Sequence, residues 1–334
     1  MRQKLLARNK FLQYVFYASG EIILVIAGIL IALAINNQSE LNKKDEKISS
    51  ILMQVRQELA LDIAKTSSLI EFYIRKDSLI SLVLGGQLTV EDYDNPANSA
   101  LFQVTTTVSE FITQTNGYDH LMRNIDNMPP RFEPLIEDLS GIYVDDRRLV
   151  ERFNESISEV TDNVLKEWSS KFTWYSKIIT GVKEEAMMDY FANDPFYKNH
   201  VSNYYIMAMQ NHLPAIKQYR VDAIDSYKAI GLLLGLEHDV NDGAENFIIP
   251  QEALEKLAGT YGVGNGFTVV VKVEDGQLIG QAQGQSEFLL DPLSPTRFFS
   301  VNAPFTIQFE LTEAGEATSL INYQNGRAIV MTKQ

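Results

Sequence analysis

His120, His200, His212 and His238 are the only histidines, and no two stand in an HExxH or i,i+4 arrangement that would bring two imidazoles to one metal ion. They read as surface or capping residues. The chain has no cysteine, which excludes disulfides, thiolate ligands and thiol nucleophiles. No serine stands three positions before a lysine, and there is neither a Gly-x-Ser-x-Gly elbow nor a phosphate-binding glycine loop. Carboxylates are plentiful, at 43 Asp and Glu against 29 Lys and Arg, but spacing nominates no acid–base pair among them. Asp145-Asp146-Arg147-Arg148 reads as a solvated, salt-bridged helix face. No catalytic residue, cofactor or metal is assigned, and a non-enzymatic protein is expected.

Two groups of residues are suited instead to contact or binding. Glu21 is a carboxylate inside an apolar run, either facing a partner helix or sitting at the membrane boundary, and Gly28 with Ala32 forms a small-xxx-small pair that lets helices approach. The second group is aromatic. Trp168, Phe172, Trp174 and Tyr175, with Phe191, Phe196, Tyr197, Tyr204 and Tyr205, suit either a ligand slot between helices or ordinary core packing. Trp168, Trp174 and Tyr204 are the slot candidates there, and Phe267 and Phe299 are their counterparts in the C-terminal region.

The elements that position these residues follow from patterning. Arg2, Lys4, Arg8 and Lys10 precede Phe11–Ile35, an apolar run interrupted only by Gln13, Ser19 and Glu21 and long enough to cross a bilayer as a helix. Phe11, Tyr14, Phe16 and Tyr17 suit the headgroup region, and the unmixed basic cluster favours an N-terminus inside. Ala32-Leu33-Ala34 also fits a signal-peptide cleavage pattern; either way the remainder is exported. The string Ser19-Gly20-Glu21-Ile22 through Gly28-Ile29-Leu30-Ile31-Ala32-Leu33 and Ile35-Asn36-Asn37 resembles the opening of a family of single-pass membrane proteins abundant in Bacteroidota. That resemblance implies an inner-membrane anchor with a periplasmic domain, and it implies no activity.

From Glu40 to Leu84 apolar residues recur at three- and four-residue spacings without proline or glycine, predicting one long amphipathic helix that ends at Gly85-Gly86. A loop is expected over 87–99. Helices follow at about 98–113, 118–127, 131–189 with a break, and 195–234, where Pro214 should kink the last. Most of the net charge of −14 falls on this helical middle, which disfavours nucleic acid and an anionic membrane surface.

After Asn246 the period changes to two. Phe267, Val269, Val271 and Val273 alternate with more polar residues, and turns are expected at Asp275-Gly276, Asp291-Pro292, Ala314-Gly315 and Asn325-Gly326. About eight short antiparallel strands of this kind close most easily into a small barrel. Its phenylalanines 267, 288, 298, 299, 305 and 309 supply enough bulk to fill it. Leu257-Ala258-Gly259-Thr260-Tyr261, Thr296-Arg297-Phe298-Phe299 and Gln324-Asn325-Gly326-Arg327 resemble the lipocalin-like domain appended to penicillin-binding-protein-type serine hydrolases. The hydrolase motifs are absent, so that activity is not implied.

The expectation is therefore an α+β chain: a basic cytoplasmic tail (1–10), a transmembrane helix (11–36), an exported antiparallel helical bundle (37–236), a linker (237–253) and an eight-stranded lipocalin-like barrel (254–334). Its expected function is that of a membrane-anchored scaffold or sensor-like subunit, contacting an envelope protein or a second copy of itself. The alternative is a binder of a small apolar or glycan-like ligand through the barrel or the aromatic slot.

Overall fold

The computed structural model describes residues 2–178, 180–236, 246–264 and 266–334, with residues 2–13 described by backbone alone. His238 and the larger part of the expected linker lie outside the described residues.

One helix, α1 (Arg2–Leu84), runs 83 residues and stops before Gly86, whose φ of 68° suits glycine. No proline interrupts it, so nothing in the covalent chain separates its apolar start from its amphipathic end. Tyr14 to Ile35 lies exposed and is long and apolar enough to cross a membrane. Beyond Ile48 a stripe of Leu52, Val55, Leu59, Ile63, Ile70, Tyr73 and Ile80 is buried.

Helix α2 (Val90–Asp94) occupies part of the expected loop. Thr89 and Asp92 close it with a reciprocal capping box. A 3₁₀ turn at Pro96–Gln103 and an irregular stretch over 107–115 stand where a helix was expected at 98–113. Then come α3 (Asn116–Met122), 3₁₀ turns at Ile125–Asn127 and Pro130–Phe132, α4 (Leu135–Ser140), α5 (Arg147–Lys171), α6 (Tyr175–Ile178), α7 (Glu185–Asn193), α8 (Pro195–Met207) and α9 (Leu213–Leu234). The β-branched run Val104-Thr105-Thr106-Thr107-Val108 penalises a helix there. Side chains then satisfy the irregular backbone. Asn154 of α5 takes both the N–H of Phe111 (3.2 Å) and its C=O (2.8 Å), while Asp62 accepts from Gln114 and Glu58 from Gly117.

Two π-turns interrupt the helical runs, at Gly141–Asp146 between α4 and α5 and at Ala208–His212 between α8 and α9. The second lies immediately before Pro214. Proline leaves the carbonyl four residues back without its donor, and a wider turn absorbs the mismatch. Helix α9 packs along α1 and ends at Gly235, which adopts the left-handed conformation at φ 71°.

A short helix, α10 (Gln251–Leu257), opens inside the segment expected as linker and packs on the second and third strands of the barrel. The strands are β1 (Gly259–Gly262), β2 (Thr268–Glu274), β3 (Gln277–Ala282), β4 (Glu287–Ser294), β5 (Arg297–Ser300), β6 (Phe305–Leu311), β7 (Ala317–Gln324) and β8 (Arg327–Lys333). Each pairs antiparallel with the next, and β8 returns to β1 to close the barrel. Asp275-Gly276 and Asn325-Gly326 make two-residue turns with both residues at positive φ. Asp291-Pro292, expected as a turn, lies inside β4, and the chain reverses at Pro295-Thr296 instead. The missing N–H of Pro292 is accommodated by a register shift beside it.

Inside the barrel, Tyr261, Val271, Leu278, Leu290, Phe298, Phe309 and Leu320 form a buried, mainly apolar core. Phe288 fills the space beside Gly280, where a side chain would collide with its ring. Phe299 does not join them. Successive residues of a strand face opposite ways, so with Phe298 inward Phe299 points outward, where it packs into the core of the bundle.

Candidate functional site

The aromatic residues of the bundle converge around a cavity of about 670 Å³ between the Pro96–Gln103 turn, α5, α6 and the segment leading into α7. Leu165 and Trp168 come from α5, and α5 presents them because its buried stripe of Val150, Ile157, Val164 and Trp168 keeps one face on the core. Phe102, Tyr175, Met187 and the stem of Lys183 complete the walls, and Ile178 and Val182 stand at the rim, 38% and 50% exposed.

Behind the cavity the aromatic rings are closely packed. The Trp168 indole N–H donates to the Tyr190 hydroxyl at 2.9 Å, and burial raises that hydroxyl to about 12. Trp174 stacks on Phe172 with ring centroids 4.7 Å apart and meets Trp168 edge-on at 6.0 Å. Lys183 donates to the carbonyls of Tyr93 (2.8 Å) and Asp94 (2.5 Å), which commits its ammonium to the α2 C-terminus.

A second polar construction joins bundle to barrel. Arg220 of α9 is fully buried, pairs with Asp291 of β4, and donates to the Pro292 carbonyl (2.5 Å) and Ser67 Oγ (3.2 Å). Lys217, one turn earlier, donates to the carbonyls of Ser300 (2.7 Å) and Ala303 (3.0 Å). The Phe299 ring lies against both cations. Burial pushes the Lys217 ammonium down to about 8, and burial raises the Asp291 carboxyl while the Arg220 charge opposes it. Arg297 and Glu71 add an ion pair at 3.1 Å. A smaller cavity of about 250 Å³ opens here, lined among others by Asp77, Lys217, Thr306, Tyr323 and Arg327.

Other titratable groups are buried but line neither cavity. The Tyr73 hydroxyl lies 2.5 Å from His212 Nδ1, and burial lowers His212 to about 4. Asp62 accepts from Tyr219 at 2.8 Å, and burial raises its carboxyl. Burial, with the neighbouring Asp222 carboxylate, raises Asp146 to about 7. No group of three or more His, Cys, Asp or Glu is arranged to hold a metal ion among the described residues.

Of the residues expected to line a binding slot, Trp168 lines the larger cavity and Trp174 stands behind it. Tyr204 lies elsewhere, its hydroxyl donating to the Thr107 carbonyl at 2.9 Å with Lys76 over its ring. Phe299 sits in the bundle–barrel junction, and Phe267 lies half-buried at the edge of the barrel core. Glu21 borders a shallow depression with Phe16, Tyr17 and Leu24 on the exposed part of α1, and nothing lies within 4 Å of a Cβ built at Gly28. Ala32 is likewise exposed on α1. Residue spacing alone does not nominate the Arg220–Asp291 and Lys217 contacts. Their visible signal is Lys217 and Arg220 at i,i+3 on the face of α9 that also carries Leu213, Ile216 and Ile224, where charges need a buried partner.

Residues 245–331 match the family described as a domain of unknown function (DUF3471). No curated protein and no solved structure matches the chain. The likeness thus covers the barrel with α10 and carries no activity for either region.

Proposed function

We propose that the protein is a membrane-anchored, non-catalytic scaffold or sensor-like subunit of the bacterial cell envelope, acting through protein contacts of its bundle and barrel. In this reading the N-terminus is cytoplasmic, Phe11–Asn36 spans the inner membrane once, and the bundle and barrel stand in the periplasm. The partner is an envelope protein or a second copy of the chain. The barrel serves as a docking module of the type appended to penicillin-binding-protein-like hydrolases, without their chemistry.

The observation that carries the proposal is the continuity of α1. The helix that presents exposed apolar residues from Tyr14 to Ile35 is the same helix whose Ile48, Leu59 and Tyr73 form the bundle core. A rotation or shift of the bundle is therefore transmitted to the apolar segment through an unbroken hydrogen-bonded rod. The barrel is tied to the same body by Arg220 and Lys217.

In-cell crosslinking followed by detergent extraction, purification through a C-terminal tag and mass spectrometry tests this. A partner or a second copy recovered in fixed stoichiometry supports the scaffold. Recovery of a lone monomer overturns it. Protease protection of the same tag in intact cells, lost when the outer membrane is opened, checks the topology.

A further inference from the structure

We infer that the aromatic cavity of the bundle is a binding site for a water-borne, uncharged, mainly apolar small molecule carrying one hydrogen-bonding group. The cavity lies wholly within the bundle, and only the arrival of its ligand through water rests on the membrane anchor of the proposed function. Its volume of about 670 Å³ falls in the range of small-molecule sites, and its walls are rings and branched aliphatics: Phe102, Leu165, Trp168, Tyr175, Ile178 and Val182. The rim residues Ile178 and Val182 remain exposed, which leaves apolar surface that an apolar ligand would remove from water.

The polar groups choose between neutral and charged ligands. The Trp168 N–H is spent on Tyr190, and Lys183, the cation of the lining, is spent on two carbonyls with the Asp94 carboxylate 3.7 Å away. An anionic head would enter without a free counter-charge and would meet Asp94 besides. Among the described residues, Ser99, Gln103 and Thr106 of the lining make no side-chain hydrogen bond, which leaves them to engage one hydroxyl or carbonyl.

Position excludes direct delivery from the bilayer. Gln103 is reached by Lys76 at 2.5 Å, and Lys76 stands roughly 60 Å along α1 from Ile35 at the helical rise per residue. The ligand arrives through water, which favours a compact ring system or short chain over a bilayer lipid.

The protein supplies its own reporter, since Trp168 and Trp174 are its only tryptophans. The full chain in nanodiscs is titrated with 4′-bromobiphenyl-4-ol, whose bromine quenches tryptophan on contact, and with the matching 4-carboxylate. Saturable quenching by the phenol is expected, with the carboxylate weaker by about tenfold or more because its charge finds no partner. Val182→Asp, at an exposed rim position, should weaken the phenol, and Ser99→Phe, which blocks the polar wall, should abolish saturation while melting temperature stays unchanged. Equal or tighter binding of the carboxylate overturns the inference. So does quenching that never saturates or that is the same in wild type and both variants.

Discussion

Inside the barrel Tyr261, Val271, Phe298 and Leu320 meet almost only carbon, whereas the helical core holds Asp62, Lys76, His212 and Arg220 with under a tenth of their surface open to water. Asp291 lies on the outer face of the barrel, where it meets Arg220 of α9, and the backbone carbonyl of Ser300 accepts from Lys217 beside it. A closed meander satisfies its own backbone through strand pairing and needs no polar side chain within. The bundle contains two π-turns and an irregular stretch, and these demand side-chain partners such as Asn154 and Asp62. The larger cavity opens beside the Pro96–Gln103 turn that precedes the irregular stretch. The contrast sets an apolar barrel interior against a helical core that encloses polar side chains.

The largest expected effect strikes where the two regions meet. Arg220→Met leaves Asp291 buried without its partner and should cost about 3–5 kcal/mol in urea unfolding. Arg220→Met with Asp291→Leu should recover most of that loss, and failure to recover would show that the ion pair adds net stability rather than specificity. Next come adjacent phenylalanines with opposite allegiances. Phe298→Ala and Phe299→Ala should each cost about 3 kcal/mol. Hydrogen exchange should then rise across the barrel strands for Phe298→Ala and along α9 and β5 for Phe299→Ala. Identical exchange patterns would erase the distinction between the two cores.

A smaller effect belongs to the bundle alone. Asp146, raised to about 7, binds a proton more readily in the folded chain than in the unfolded one, so its contribution to stability grows as pH falls from about 7 towards 4. His212, lowered to about 4, acts in the opposite sense below about 6.5, because the unfolded imidazole protonates first. Comparing wild type with Asp146→Asn isolates the carboxyl. The variant should melt about 2–4 °C above wild type at pH 8, with the gap narrowing below about pH 7 and closed near pH 4. A constant gap would remove Asp146 as the cause. The smallest effects compare one turn from each region: Asn325→Ala in the β7–β8 hairpin (φ 49°) and Gly235→Ala at the end of α9 (φ 71°) should each cost about 1 kcal/mol in the same unfolding assay.

Much of this architecture is legible in residue order. The long apolar run, the three- and four-residue spacing after it, the change to alternation after Asn246 and the Asp-Gly and Asn-Gly pairs are local signals, each decided by neighbours a few positions away. They suffice for a long helix whose apolar start could cross a membrane and for a closed eight-stranded barrel. Local signals also account for the failures. The β-branched run at 104–108 was a warning against helix at 98–113 that apolar periodicity obscured, and Asp291-Pro292 has turn composition while lying in a strand.

Tertiary structure alone decided the rest. Alternation places Phe298 and Phe299 on opposite faces but cannot say that the outer face is covered, because that depends on α9 arriving from another part of the chain. The same holds for Arg220, whose partner Asp291 is 71 positions distant, and for Trp168, which borders open space while Trp174 does not. Periodicity records which residues leave water; which of them meet each other, and where a gap remains between them, is set by how separate elements dock.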